Sequence, residues 1–146
     1  MKVDFYHLTR MPIERVLPRI AERVLASGDR LLIVAAAEPQ RAMLDRLLWE
    51  YEADSFLPHA RIGTGDDAVQ PVLIAGDVNA ANGARNIALT DGVWRDDALD
   101  FDRTFHFFDD ETIVAARTAW RGLAVRDDVE CRYWKQNDAG RWEQVA

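Results

Sequence analysis

Apolar and polar positions along the chain follow two periods, one typical of strands and one typical of helices. Short apolar runs bounded by turn residues predict strands, and apolar residues three and four positions apart predict helices. Strands are predicted at residues 2–8, 30–36, 72–75, 86–90 and 103–108. Helices are predicted between residues 9 and 28, at 39–52 and at 109–124, with a short helix or turn at 94–101. Residues 129–135 and 141–145 are predicted to form a closing hairpin. This alternation predicts right-handed crossovers and a parallel sheet. We therefore expect a single three-layer, Rossmann-like α/β domain over residues 1–146, with a mostly parallel sheet and helices on both faces.

The first helix is predicted between two boundary signals. Thr9 is a candidate cap, and Pro12 fits the first turn, where no amide hydrogen is needed. Gly28 is placed to end the helix. Pro18 falls inside the apolar stripe, so we expect either a kink at this position or a later start of the helix.

The second helix carries a tryptophan that does not fit its apolar stripe. Side chains rotate by about 100° per residue in a helix, which groups Leu44, Leu47, Leu48 and Tyr51 on one side. On the same wheel Trp49 falls about 140° from Leu44, so it should point outward.

Residues 56–59 form a second apolar cluster after this helix and include Phe56 and Pro58. Large apolar groups left in water usually mark a partner site. The segment therefore predicts a docking surface with Trp49. The alternative is that the following loop of the chain itself covers Trp49.

Charge and cysteine content narrow the possible functions. Eighteen basic residues against 25 acidic residues give a net charge of −7, which argues against autonomous DNA or RNA binding. A single cysteine excludes an intrachain disulfide and suits a reducing compartment. No apolar run reaches the roughly 20 residues that span a bilayer, and the N-terminus lacks the features of a signal peptide. We expect a cytoplasmic protein that does not bind a membrane.

The motifs of nucleotide binding are absent from the places where an α/β protein carries them. The turn after the first strand, HLTRMP, has no glycine, and no GxxxxGK[ST] motif occurs. Residues 63–67, GTGDD, contain two glycines but precede no clear helix, and their two carboxylates would repel phosphate. A degenerate nucleotide-binding protein or enzyme that uses the Gly63–Gly65 loop remains the alternative function.

Other reactive groups are isolated in the sequence. The three histidines and the cysteine offer no metal-ligand spacing, so no metal or other cofactor is expected. His7 and His106 fall in strands and fit hydrogen-bonded core or edge residues better than catalytic ones. Cys131 fits a buried structural thiol. No constellation of residues supports an enzyme.

The last helix offers one arrangement with a clear chemistry. Its wheel places Ala116, Ala119 and Leu123 on the buried side. Arg117 and Arg121 are neighbours at i and i+4, and Trp120 lies beside them. Arginine binds carboxylates bidentately and an indole ring packs apolar groups, so this pattern suits a carboxylate attached to an apolar group. The alternative is a solvated basic face with a half-buried tryptophan.

Both patterns resemble one protein family, the chi subunit of the bacterial DNA polymerase III clamp-loader complex. LLWEYEADSFLPH, residues 47–59, is similar to the LW…SF.PH signature of the family, and RTAWR, residues 117–121, is similar to its R-x-x-Y-[KR] motif. Trp120 stands where the family has tyrosine, which keeps an aromatic wall and loses a hydroxyl. The order and length of the elements also agree over nearly the whole chain.

The resemblance implies two binding activities and no catalysis. Trp49, Phe56 and Pro58 would bind the psi subunit or an alternative helicase partner. Arg117, Trp120 and Arg121 would bind the acidic C-terminal tail of single-stranded DNA-binding protein, and Phe107 would line the same pocket. DNA would be contacted only through other proteins.

Overall fold

Eight strands and three helices are present in residues 1–51 and 57–146, the part of the chain that this computed structural model describes. The strands are β1 (Lys2–His7), β2 (Leu31–Val34), β3 (Ala60–Arg61), β4 (Val72–Ala75), β5 (Asn86–Leu89), β6 (Arg103–Phe108), β7 (Glu130–Gln136) and β8 (Trp142–Gln144). The helices are α1 (Ile13–Ala26), α2 (Glu38–Glu50) and α3 (Ile113–Ala124). Short 3-10 helices at Asp67–Val69 and Asp96–Asp100 complete the elements of this part of the chain.

The strands form one sheet in the order β3-β4-β2-β5-β6-β1-β7-β8. Neighbouring strands pair in parallel up to β7, and β8 then returns antiparallel to β7 as the predicted hairpin. The parallel sheet predicted from the sequence is confirmed. β3 was not predicted, because it contains two residues at the start of a stretch interpreted as a polar loop.

Apolar side chains cover the sheet on both faces. One face, which we name the α1/α2 face, packs the buried stripes of α1 and α2 against β1, β2, β4, β5 and β6. The opposite face, the α3 face, packs α3 over Val3, Phe5 and Phe108. Beyond α3, the Asp96–Asp100 helix and adjoining loops cover Leu32, Ile87 and other residues of the inner strands. The three-layer α/β architecture is therefore confirmed.

α1 begins at Ile13 and continues through Pro18 to Ala26. Pro12 is its N-terminal boundary residue, and Thr9 lies too far upstream to cap it, so that prediction was wrong. Pro18 is buried within the helix, which excludes a helix that starts after it. Gly28 ends α1 as predicted: its φ is +81°, and the amide of Asp29 donates to the carbonyl oxygen of Val24 at 3.1 Å.

α3 begins at Ile113 rather than at the predicted residue 109. The side chain of Asp109 accepts hydrogen bonds from the backbone amides of Glu111 and Thr112, both at 3.0 Å. These bonds hold a turn that precedes the helix. Asp and Asn favour such turns because their short side chains compete with helical hydrogen bonding.

A buried carboxylate ties the middle strands together. Asp4 is fully buried in β1, and its oxygens accept hydrogen bonds from Arg103 at 2.8 Å, Arg132 at 2.7 Å and the indole nitrogen of Trp134 at 3.1 Å. Buried charges need this kind of compensation. The two arginines lie on the strands that flank β1, so the network joins β6, β1 and β7.

Candidate protein-binding surfaces

α3 presents a half-buried tryptophan anchored on the sheet. The ring of Trp120 packs edge-on against Phe5, with centroids 5.3 Å apart, and against Tyr133, with centroids 5.9 Å apart. Ala116 and Leu123 are buried beneath the helix as the wheel predicted. Trp120 is therefore held in one position by its edge while part of its surface stays accessible.

Arg117 and Arg121 flank Trp120 and are both exposed. Neither forms an ion pair or a hydrogen bond with any residue in the described ranges. The two guanidinium groups are available to a carboxylate, which arginine binds with two parallel hydrogen bonds. We name Arg117, Trp120 and Arg121 the α3 surface.

Tyr133 of β7 is a neighbour of this surface that no local sequence pattern marks. Its hydroxyl lies 3.1 Å from Nδ1 of His7, and Nε2 of His7 lies 2.9 Å from a carboxylate oxygen of Asp110. Burial raises the pKa of Tyr133, and the positive charge of Arg117 opposes this rise, so the phenol lies within electrostatic reach of Arg117. Tyr133 thus places an aromatic wall and a hydroxyl beside Trp120.

Phe107 does not join the α3 surface. Its ring is buried on the α1/α2 face, where it stacks on Tyr6 with centroids 5.3 Å apart. Successive side chains of a strand point to opposite faces, and it is Phe108 that packs on the α3 face, against Phe5 and Tyr133. The expectation that Phe107 lines a pocket with Trp120 therefore finds no support in its position.

Trp49 lies near the end of α2 with 54% of its surface exposed. Its outward direction agrees with the helix wheel. The ring is 4.8 Å from that of His59, measured between centroids. His59 is itself buried and fixed at both ring nitrogens, by the carbonyl oxygen of Leu57 at 2.6 Å and by Asp45 of α2. His59 thereby connects Leu57 to α2 beside the exposed ring of Trp49.

Residues 52–56 lie outside the described part of the chain, and they include Phe56, which the sequence assigned to the same docking surface. Pro58 is half-buried, and Leu57 is buried against the core of the α1/α2 face. Pro58 thus lies between two buried residues, and the second of them, His59, contacts Trp49. We name Trp49 and Pro58 the α2 surface.

The two surfaces belong to opposite layers of the molecule. α2 packs on the α1/α2 face through Leu44 and Leu48, whereas α3 packs on the other face through Ala116 and Leu123. The thickness of the sheet separates them. A short peptide bound at one surface therefore leaves the other accessible.

The Gly63–Gly65 loop is an unfavourable phosphate site. It follows the edge strand β3, and the amide of Gly63 already donates to both carboxylate oxygens of Asp67, at 3.0 and 3.1 Å. A phosphate would have to displace this carboxylate and then lie beside its negative charge. The loop provides no helix N-terminus of useful length, because only the three-residue turn Asp67–Val69 follows.

The crevice at the carboxyl ends of the strands is where α/β proteins commonly bind ligands. A cavity of about 790 Å³ opens there between the loops that follow β1, β2, β5 and β6. Four carboxylate-bearing residues are among its lining: Glu14, Asp91, Asp109 and Glu111. Such a lining disfavours a nucleotide phosphate, since like charges repel.

The remaining reactive side chains include His106 and Cys131, which are buried and half-buried respectively. His106 is fully buried, but neither ring nitrogen has a hydrogen-bond partner among the described residues, so the expectation of a hydrogen-bonded histidine was wrong. Cys131 is half-buried, and burial raises the pKa of its thiol. Within the described ranges, no cluster of His, Cys, Asp and Glu could hold a metal ion, and no helix is long and apolar enough to cross a membrane.

A family model described as DNA polymerase III chi subunit, HolC, matches residues 1–128. The chain belongs to this family. All residues of the α2 and α3 surfaces fall inside the matched region, whereas Tyr133 and Trp142 lie beyond it.

Three curated relatives carry the name DNA polymerase III subunit chi. The protein of Escherichia coli (strain K12) is 35% identical over 78 residues, which cover 53% of either chain. That of Pseudomonas aeruginosa (strain PAO1) is 34% identical over 76 residues, 50% of this chain and 52% of the relative. That of Haemophilus influenzae (strain Rd) is 28% identical over 75 residues, 49% of this chain and 52% of the relative. The chain thus spans about half the length of the curated relatives it matches.

Proposed function

We propose that this chi-family protein is a non-catalytic accessory subunit that acts as an adaptor in cytoplasmic DNA replication. It links the clamp-loader complex of DNA polymerase III, through a psi subunit or an alternative helicase partner, to the C-terminal tail of single-stranded DNA-binding protein. The observation that carries the proposal is the α3 surface, where two exposed arginines without a carboxylate partner among the described residues flank an anchored tryptophan. The net charge of −7 agrees with contact to DNA only through other proteins.

The chemistry of the α3 surface suits a peptide that ends in a phenylalanine carboxylate. Arg117 and Arg121 bind the terminal carboxylate, and the ring of Trp120 packs the phenyl group beside it. Tyr133 provides a second aromatic wall beside Trp120. Trp120 stands where the family has tyrosine and therefore lacks a hydroxyl, and the hydroxyl of Tyr133 supplies part of this polarity. Acidic residues before the phenylalanine would be drawn to the same guanidinium groups.

The α2 surface takes the second partner in this proposal. Trp49 is a large ring with 54% of its surface exposed at a place fixed by His59, and such anchored aromatics contribute strongly to interfaces. Its position on the opposite layer from Trp120 supports simultaneous binding of two proteins. The adaptor activity requires this geometry, because one bound partner must not displace the other.

Calorimetric titration with a short acidic peptide that ends in Asp-Ile-Pro-Phe tests the tail site. We expect micromolar binding by the wild type and at least about tenfold weaker binding by Arg117→Ala, because a charge-assisted hydrogen bond contributes about 1.5–3 kcal/mol. Amidation of the terminal carboxylate should weaken binding similarly. Arg46→Ala is the matched control, since Arg46 is an exposed arginine on α2. Absence of binding by the wild type, or equal affinity for the amidated peptide, would contradict the proposed tail site.

A further inference from the structure

A groove lined by arginines runs along α1 on the α1/α2 face. Arg15, Arg19 and Arg23 recur at every fourth position of the helix and are all exposed. They line a cavity of about 70 Å³ with Tyr6 and Trp142. A second cavity of about 130 Å³ shares Tyr6, Ile20 and Arg23 with the first and extends to Phe105 and Arg103. We name this continuous depression the α1 groove.

Among the described residues, four arginines and one carboxylate-bearing residue, Asp29, line the groove, so positive charge predominates there. Arg15, Arg19 and Arg23 form no ion pair within the described ranges, although the chain has 25 acidic residues for 18 basic ones. Arginines elsewhere do pair, as Arg85 does with Asp102. Like charges at i and i+4 destabilise a helix. An anionic ligand would relieve this repulsion along the row.

The floor and the far wall of the first cavity are apolar. Val16 and Ile20 of α1 are buried at its base, and the half-buried ring of Trp142 meets the edge of Tyr6 with centroids 5.2 Å apart. A ligand in the groove therefore meets positive charge on its α1 side and aromatic surface on its sheet side. This two-sided character is what an extended peptide with alternating residue types can match.

The spacing of the arginines also fits an extended peptide. Residues four apart in a helix rise by about 6 Å along its axis. Residues two apart in an extended chain are about 6.6–6.8 Å apart, and their side chains point the same way. An acidic residue at every second position of the peptide can therefore meet successive arginines, while the apolar residues between them face Met11 and Trp142.

Single-stranded nucleic acid fits the groove less well. Binding of single strands depends on aromatic faces that are open to stacked bases. Tyr6, the ring at the centre of the groove, is 8% exposed and is stacked between Phe107 and Trp134, with centroids 5.3 and 6.3 Å away. The groove therefore has positive charge for phosphates but no free face of Tyr6 for a base.

We propose that the α1 groove binds an extended segment of a partner protein in which acidic and apolar residues alternate. Arg15, Arg19 and Arg23 bind the acidic side chains, and the cavity beside Met11 and Trp142 receives the apolar ones. The site is separate from the α3 surface, because α1 and α3 cover opposite faces of the sheet. It requires no terminal carboxylate, since its cations form a row along the peptide rather than a pair at its end.

The test is calorimetric titration with an acetylated and amidated heptapeptide of alternating Asp and Leu, at low ionic strength. We expect saturable binding by the wild type. Arg19→Gln, which changes the central arginine, should weaken binding at least about tenfold, because it removes a charge-assisted hydrogen bond. The same peptide with Asn in place of Asp should not bind. Arg46→Gln on α2 is the matched control and should leave affinity unchanged.

Three outcomes would overturn the proposal. Loss of binding in Arg117→Gln, with Arg19→Gln unaffected, would move the peptide to the α3 surface. Tighter binding of an oligothymidylate than of the peptide, lost in Arg19→Gln, would assign the groove to nucleic acid. A lower thermal unfolding midpoint for Arg19→Gln, with unchanged affinity for the peptide, would show that the row of arginines stabilises the fold instead of binding a ligand. The titration of Arg117→Ala with the Phe-ended peptide does not depend on any of these three outcomes. Failure of the α1 groove proposal is therefore distinguishable from failure of the proposed tail site on α3.

Discussion

His106 is the residue in the described part of the chain whose environment most clearly costs stability. It lies on the α3 face with its ring against Phe5 and Trp94, at centroid distances of 5.2 and 5.5 Å, and neither nitrogen has a hydrogen-bond partner among the described residues. Burial lowers the pKa of His106 to about 4. The folded protein therefore keeps this imidazole neutral at pH values where an unfolded chain protonates it.

The pH dependence of stability follows from this shift. An unfolded histidine has a pKa near 6.5, so between about pH 6.5 and pH 4 the unfolded state binds more protons and stability falls as the pH falls. For His106 the loss from pH 7 to pH 5 is about 2 kcal/mol. We expect His106→Phe to lose less stability over this range than the wild type, as measured by urea unfolding at both pH values. An equal loss in the two proteins would contradict the neutral, buried state of His106.

At the scale of elements, the α3 surface has a neighbour, Tyr133, on a strand that is remote in sequence. Arg117, Trp120 and Arg121 could be grouped from the sequence because they lie within two turns of one helix. Tyr133 could not, because it reaches Trp120 only through the pairing of β7 with β1, and it bonds to His7, which is 126 residues away. Long-range pairing of this kind leaves no local pattern in a single sequence.

Tyr133 allows the ring and the hydroxyl to be tested separately. Tyr133→Phe keeps the wall beside Trp120 and removes the bond to His7, so we expect tail-peptide affinity to change by no more than about threefold. Tyr133→Ala also removes the aromatic ring beside Trp120 and should weaken peptide binding at least about tenfold, because Trp120 then loses an aromatic neighbour. Titration of both variants with the Phe-ended peptide makes the comparison. Equal affinities for Tyr133→Ala and the wild type would exclude Tyr133 from the site.

Element boundaries were predictable where the local pattern was strong. β6 was predicted with its observed bounds because RTFHFF is a dense run of strand-forming residues, and the end of α1 was marked by Gly28. The start of α3 was placed too early because Asp109 suits a helix N-terminus as well as the turn that it makes here. β3 escaped prediction because two residues carry no periodicity.

Buried polar contacts were the least predictable feature at any scale. The alternation of β1 gives no sign that Asp4 is fully buried, because its compensating arginines come from β6 and β7. Similarly, nothing in the sequence around His106 marks it as unpaired. Such contacts depend on which strands become neighbours, and this is decided by the packing of the whole domain rather than by local propensity.

At the scale of the whole molecule, the proposed adaptor function depends on the separation of the two surfaces. The α2 and α3 surfaces lie on opposite layers, and the sheet between them is buried on both faces. Sites on opposite faces of the sheet with no shared residues should act additively. The adaptor account therefore requires that damage to one surface leaves the other intact.

The most direct test of this account measures both activities on the same two variants. Trp49→Ala and Arg117→Ala would each be assayed for capture of the psi subunit or the helicase partner and for binding of the Phe-ended tail peptide, with circular dichroism as the control for folding. We predict that Trp49→Ala loses capture of this partner and keeps tail binding, and that Arg117→Ala does the reverse. If either variant loses both activities while its spectrum is unchanged, the two-surface account is contradicted.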